Sequence, residues 1–257
     1  MLRSLPCYDK QLALFLLHLC SETYVQYEND GLVNLPEGFS LVKAFKGKAF
    51  GQHEWFGFIL ESENEVVIAF RGTKSDLDWL ADASAFQLPF PYASNIGNVH
   101  GGFLSIYHSL RNEVFNAYAS LSPQKPLYIT GHSLGGALAT LHALDVAVNG
   151  PFEHVTMYNY GSPRVGDPAF VTSYCLHVRE SKRFANTEDV ITEVPPPVFR
   201  YPFTSKVWYY EHVPAAISFT IQTGSITNNH MPAVYESGIK SLTDNPCVSR
   251  YPYMPYF

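Results

Sequence analysis

With 257 residues, 46% of them hydrophobic and 16% charged, the chain can bury a sizeable core as one domain over 1–257, and no compositional break marks a second. A net charge of −6 supplies no electrostatic drive toward nucleic acid or an anionic membrane surface. The 18 Phe, 17 Tyr and 3 Trp exceed what the interior takes up, so some are expected in an apolar groove or on a surface that meets apolar material.

Taken in order, the opening run Leu12 to Leu17 follows Arg3 and Lys10 but precedes no small-residue cleavage site, and it is too short to span a bilayer. It reads instead as a core helix capped by Asp9, with Leu12, Phe15, Leu16 and Leu19 at helical spacing. Phe39 to Phe50 and Trp55 to Leu60 read as strands of a meander, and Glu65 to Phe70 as a buried strand ending at Arg71-Gly72-Thr73. A polar–apolar segment, Ser75 to Ala85, and a loop, Gln87 to Tyr92, follow. Val99-His-Gly-Gly-Phe103 leads into a helix through about Ala119, with Phe103, Ile106, Tyr107, Leu110, Val114 and Phe115 on one side.

A short strand, Leu127 to Thr130, comes next, then a helix that stops at Asn149-Gly150-Pro151. Val155 to Tyr160 and Arg183 to Thr187 are further strands. Val207 to His212 and Ile217 to Gln222 are expected to close the fold as a pair, before a helix carrying Tyr235, Ile239 and Leu242. Strands alternating with helices predict an α/β fold with a mostly parallel sheet.

The four cysteines, Cys7, Cys20, Cys175 and Cys247, include no C-x-x-C pair, so no zinc site is expected, and nothing else calls for a metal or cofactor. Cys7 and Cys20 would lie roughly 17 Å apart along the first helix, too far to bridge. A disulfide would therefore involve Cys175 or Cys247, with four free thiols as the alternative.

The chemistry centres on Tyr128-Ile-Thr-Gly-His-Ser-Leu-Gly-Gly-Ala137. This is G-x-S-x-G between a strand and a helix, the context in which the motif forms a sharp turn that lifts the serine hydroxyl clear of the sheet. Gly131 and Gly135 provide the missing side chains such a turn needs. A serine hydroxyl attacks poorly unless a histidine takes its proton and a carboxylate holds that histidine.

On this type of fold the acid and the histidine follow the serine along the chain. His132 adjoins Ser133 and is expected to point off the turn. Of the later histidines, His212 sits in a strand-like stretch, whereas His230 lies in the irregular Thr227-Asn-Asn-His-Met-Pro232 and is the leading base. Asp189, at the end of the strand Arg183 to Asn186, is the leading acid, with Glu188 and Glu193 as rivals; Asp167 reads as a turn residue. Oxyanion donors are expected from the backbone N–H of Leu134 and from Thr73 after an earlier central strand.

Together these pieces resemble the fungal-type (class 3) triacylglycerol lipases, an α/β-hydrolase family. The markers are Phe70-Arg-Gly-Thr73 with Asp78-Trp79 and Asp82, Val99-His-Gly-Gly-Phe103, Gly131 to Gly136, Tyr160-Gly-Ser-Pro-Arg-Val-Gly166, and Asn186-x-x-Asp189 with Pro195 downstream. Asp167 stands where the family often has Asn, and Ile191 where Pro is usual.

The resemblance implies a triad of Ser133, Asp189 and His230, an oxyanion hole from Thr73 and Leu134, and a lid at about 74–85 over the site. The residues fit a cover: Ser75 can cap a short helix with Leu77, Leu80 and Ala81 on one face, and Trp79 would contact lipid or groove. The implied activity is hydrolysis of lipid esters, at an oil–water interface, through an acyl-enzyme. A short-chain or feruloyl-type esterase and a lipase-like scaffold without catalysis are the alternatives.

Overall fold

A computed structural model describes residues 7–49, 51–73, 85–200 and 205–243. The expected cover at 74–85, including Trp79, lies outside these residues except for Ala85, which is buried. Asp9 caps the first helix, α1 (Lys10–Glu28), its carboxylate accepting the Leu12 N–H at 2.9 Å. Strands β1 (Ser40–Ala49), β2 (Gln52–Glu61) and β3 (Val66–Phe70) then form an antiparallel meander. A minor hairpin, β4 (Gln87–Pro89) with β5 (Asn98–His100), precedes α2 (Gly101–Ala117).

From β3 onward the main sheet is parallel. Strands β6 (Leu127–His132), β7 (Val155–Tyr160) and β8 (Glu180–Asn186) add in sequence, linked by α3 (Leu134–Asn149) and α4 (Pro168–His177). Helix α4 was not expected from the sequence; Asp167 caps it, its side chain accepting the Phe170 N–H at 2.8 Å. The expected closing pair does not form. Val207–Tyr209 (β10) pairs instead with Val198–Arg200 (β9) in a separate ribbon, and Ala216–Phe219 (β11) joins β8 in parallel at the sheet edge. Both segments have strand-like composition, but pairing partners are chosen by tertiary packing and not by propensity.

The resulting seven-stranded order, β1-β2-β3-β6-β7-β8-β11, has helices on both faces. Strand alternation sorts the core into two layers. Val66, Ile68, Phe70, Leu127, Ile129 and Met157 face the cluster under α2, α3 and α4. Val67, Ala69, Tyr158 and Tyr160 face the cluster under α1 and the last helix, α6 (Pro232–Ser241). Covered on both sides, β3 is buried at every position, which is why its sequence reads as an unbroken apolar run.

Cys7 is disulfide-bonded, whereas Cys20 and Cys175 are free, so neither of those two is its partner. Cys247 lies outside the described residues.

Burial also neutralises histidines. His100, His142 and His212 are each pushed down to about 3, in every case first by desolvation. His142 is held between two tyrosine hydroxyls, with Tyr107 at 3.0 Å from Nδ1 and Tyr118 at 2.6 Å from Nε2. In the unfolded chain these rings take up protons near pH 6.5, while in the fold they stay neutral down to about pH 3. Below the unfolded value the unfolded chain thus binds more protons. The stability is fully present above pH 6.5 and is lost as pH falls, on the order of 1 kcal/mol per pH unit for each histidine. Chemical-denaturation midpoints should therefore drop steeply from pH 7 to pH 5; a flat profile would show that these rings are already charged in the folded protein.

Candidate active site

The turn between β6 and α3 carries Ser133 at φ 59°, ψ −129°, a left-handed conformation that few L-residues adopt. What imposes it is the closeness of strand and helix. A Cβ on Gly131 would lie 2.1 Å from the Gly135 carbonyl oxygen, and one on Gly135 would lie 2.1 Å from that of Phe70. Neither contact is tolerable, so the two glycines are what let the elbow close. Ser133 precedes the first turn of α3 without capping it, and its N–H is anchored to the Tyr160 carbonyl at 2.9 Å. Its hydroxyl is therefore not committed to the helix.

Asp189 follows β8 and His230 ends the four-residue helix α5 (Ile226–Asn229), which comes after β11. The two meet. His230 Nδ1–H donates to Asp189 Oδ2 at 2.6 Å, with the carboxylate 1% exposed. Tyr235 O–H donates to the same Oδ2 at 2.5 Å, and the Ile191 N–H donates to Oδ1 at 2.9 Å. Three donors compensate a charge that burial alone would penalise. Burial and the adjacent carboxylate hold the Tyr235 hydroxyl well above its usual range, so it stays a donor.

Nδ1 being the donor, Nε2 of His230 is the nitrogen left to accept a proton; it is buried and has no hydrogen-bond partner among the described residues. No hydrogen bond joins it to Ser133 in this structure. The groups nonetheless converge. Gly161 adjoins both members of the pair: a Cβ there would lie 3.0 Å from His230 Cε1 and 3.1 Å from Asp189 Oδ2. On the other side His132, next to Ser133 in the chain, packs its ring on that of His230 with centroids 4.6 Å apart.

The rival candidates face elsewhere. Glu188 accepts from Gln222 at 2.8 Å, Glu193 pairs with Arg164 at 2.7 Å, and His212 Nε2–H donates to the Thr192 carbonyl at 2.7 Å. On the donor side, Leu134 is the first residue of α3, where a backbone N–H has no helical acceptor. Gly72, just before the half-buried Thr73, lies against the elbow: a Cβ there would sit 2.7 Å from the His132 carbonyl oxygen and 3.0 Å from Ser133 Cβ. The loop after β3 thus reaches the serine.

Sequence reasoning misplaced His132 and passed over Tyr24. His132 does not point off the turn but is buried beside the base. Its Nε2–H donates to the backbone carbonyl of His230 at 2.7 Å, and its Nδ1 accepts the Tyr24 hydroxyl at 2.9 Å. Desolvation, then the neighbouring His230, hold its pKa well below 6.5. A neutral His132 therefore fastens the His230 turn to the elbow. Tyr24 gave no signal, because its position on α1 is no different in pattern from other half-apolar helix positions.

Among the described residues, no group of three or more His, Cys, Asp or Glu is placed to hold a metal ion, and no helix is long and apolar enough to cross a membrane.

The family model described as Lipase (class 3) matches residues 67–199. The chain is 31% identical over 182 residues to a lipase of Rhizomucor miehei, covering 67% of this chain and 50% of that protein. It is also 31% identical over 196 residues to phospholipase A1-II 1 of Oryza sativa subsp. indica, covering 63% of this chain and 50% of that one. The chain spans about half the length of the curated relatives it matches.

In three dimensions it superposes on the Rhizomucor miehei lipase–propeptide complex with TM-score 0.71 at 22% identity, over 91% of this chain and 79% of that one. That likeness shows the α/β-hydrolase fold. The elbow, the strand order and the matched segment 67–199 together establish that the chain belongs to the class 3 lipase family.

Proposed function

We propose that this chain is a serine carboxylic-ester hydrolase acting on lipid esters, triacylglycerols among them, at an oil–water interface. The observation that carries the reading is the buried Asp189–His230 pair beside the strained Ser133 elbow. In this reading Ser133 Oγ attacks the ester carbonyl while His230 Nε2 takes its proton, and Asp189 holds the ring in that tautomer. The Leu134 N–H and Thr73 receive the developing oxyanion. His230 then protonates the leaving alcohol, and a water activated by the same nitrogen releases the acid.

The residues 1–257 act as one catalytic domain. The segment 74–85, with Trp79 as its apolar contact, serves as the cover; this part rests on its residues and on the family. The printed functions of the relatives, lipase and phospholipase A1, support lipid esters as the class.

A serine-directed alkyl phosphonate should label Ser133 stoichiometrically, as read by mass spectrometry of the peptide that contains it. Hydrolysis rates against acyl chain length, in solution and on emulsion, should rise with emulsified long-chain esters. A steep preference for soluble short or aromatic esters would replace the lipase reading with an esterase. Absence of phosphonate labelling would leave a non-catalytic scaffold.

A further inference from the structure

Asp189 and His230 are 41 positions apart. Neither sits inside a long element: the acid follows the last residue of β8 by a tight turn, and the base ends a single helical turn. Loops of this kind are the first parts of a fold to open, yet a proton relay needs its groups placed within a few tenths of an ångström. Something must tie the two turns to each other.

Two buried side-chain amides do so. Asn186, fully buried, donates from Nδ2 to the backbone carbonyl of Asn229, the residue before His230, at 3.1 Å. Asn229, 2% exposed, donates from its own Nδ2 to the backbone carbonyl of Glu188, the residue before Asp189, at 3.0 Å. Each amide thus reaches from one turn to the peptide unit next to the functional residue of the other.

Their remaining capacity is spent locally. Asn186 also donates to the Ile221 carbonyl at 2.9 Å and accepts from the Ile221 N–H at 2.9 Å and the Glu188 N–H at 3.4 Å. Asn229 also donates to Gln222 Oε1 at 3.1 Å and accepts from the Thr223 N–H at 2.8 Å and hydroxyl at 2.7 Å. Both amides are therefore saturated, and only an amide supplies two donors and two acceptors at one side-chain terminus of this length. A fully satisfied buried network of this kind selects one geometry, because every alternative leaves a polar group unpaired.

We propose that Asn186 and Asn229 are positioning residues that hold Asp189 and His230 in register through this reciprocal exchange. The inference rests on the reading of Ser133, Asp189 and His230 as the hydrolytic triad. It explains why the acid and the base can occupy short turns without losing their 2.6 Å contact.

The test compares Asn229→Ala and Asn186→Ala with Asn159→Ala, a buried amide on the neighbouring strand β7 that donates to Thr140 of α3 at 3.1 Å. Hydrolysis of p-nitrophenyl butyrate is followed together with the low-field proton resonance of the His230–Asp189 bond and the melting temperature. The two clamp variants should lose tenfold or more in kcat with KM within twofold, and the low-field resonance should broaden or vanish. Asn159→Ala, at a similar loss of melting temperature, should keep both.

If the clamp variants do not fold, Thr223→Val decides. It keeps both amides and removes an exposed hydroxyl that lies 2.7 Å from Asn229 Oδ1 and also contacts the Ser225 backbone, and it should lower kcat and broaden the resonance in the same direction to a smaller degree. Variants that keep kcat within twofold and retain the resonance would overturn the proposal, as would an equal loss in Asn159→Ala. Because the resonance is read whether or not the protein hydrolyses esters, a wild type that keeps it but turns over nothing would refute the hydrolase reading and leave the clamp standing.

Discussion

Ser133→Ala is expected to cut ester turnover by about 10⁶-fold, since removing the nucleophile of such a triad costs as much as removing the whole set. The fold should be unaffected. Alanine keeps the Cβ, and the hydroxyl it removes does not cap α3. The backbone strain at φ 59° remains the same in both proteins, so melting temperatures should agree closely.

Ser133→Gly makes an informative companion. Glycine adopts this conformation without penalty, so it should be equally inactive yet more stable by about 1 kcal/mol. The opposite signs would separate the cost of the elbow from its chemistry: the protein tolerates a strained residue there because a hydroxyl is needed at that spot. Residual activity above one part in a hundred, measured on protein free of wild-type contamination, would remove Ser133 from its assigned role.

Asp189→Asn should lower kcat/KM by about 10⁴-fold, through the tautomer of the histidine and not through loss of shape. The carboxylate accepts from His230 and Tyr235 on Oδ2 and from the Ile191 N–H on Oδ1. Asparagine offers one acceptor oxygen where this site demands two. With its oxygen toward Ile191, its NH2 faces His230, whose Nδ1 must then accept. The ring proton moves to Nε2, the nitrogen that should receive the proton of Ser133. With the amide turned the other way, two N–H groups meet at the Ile191 side.

Either arrangement leaves donors facing donors in a buried site, so stability should also fall, by about 1–3 kcal/mol. Asp189→Glu should not rescue activity, since the site is closed around the shorter chain, 1% exposed. Activity within tenfold of wild type in Asp189→Asn would show that this carboxylate does not set the tautomer. Glu188 and Glu193 are poor substitutes, being engaged with Gln222 and Arg164.

Much of this was legible without coordinates, for identifiable reasons. The elbow could be read because strand, turn and helix are consecutive, and the close approach that excludes a side chain at Gly131 is to Gly135 in the same turn; the matching constraint at Gly135 comes from the Phe70 carbonyl on β3 and belongs to the tertiary structure. The α1 cap at Asp9 and the buried run of β3 were legible for the same reason. Asp189 and His230 were reachable by elimination once chain order and strand ends were considered, although the sequence left Glu188, Glu193 and His212 in contention.

Helix α4 was missed because its ten residues are short and apolar on most sides, leaving no clear stripe to read. The closing pair was misassigned because a strand's composition states that it will pair, not with what.

By itself, then, the order of residues determined which element carries the nucleophile and which residue types are available to serve it, since those depend on periodicity and steric exclusion between near neighbours. Tertiary structure decided which carboxylate meets which imidazole, that His132 turns inward to hold the His230 turn, and that Tyr235, Asn186 and Asn229 complete the setting. Those contacts join segments tens of residues apart. Their energy comes from satisfying donors and acceptors that folding has already cut off from water, and a linear pattern carries no record of which of them will meet.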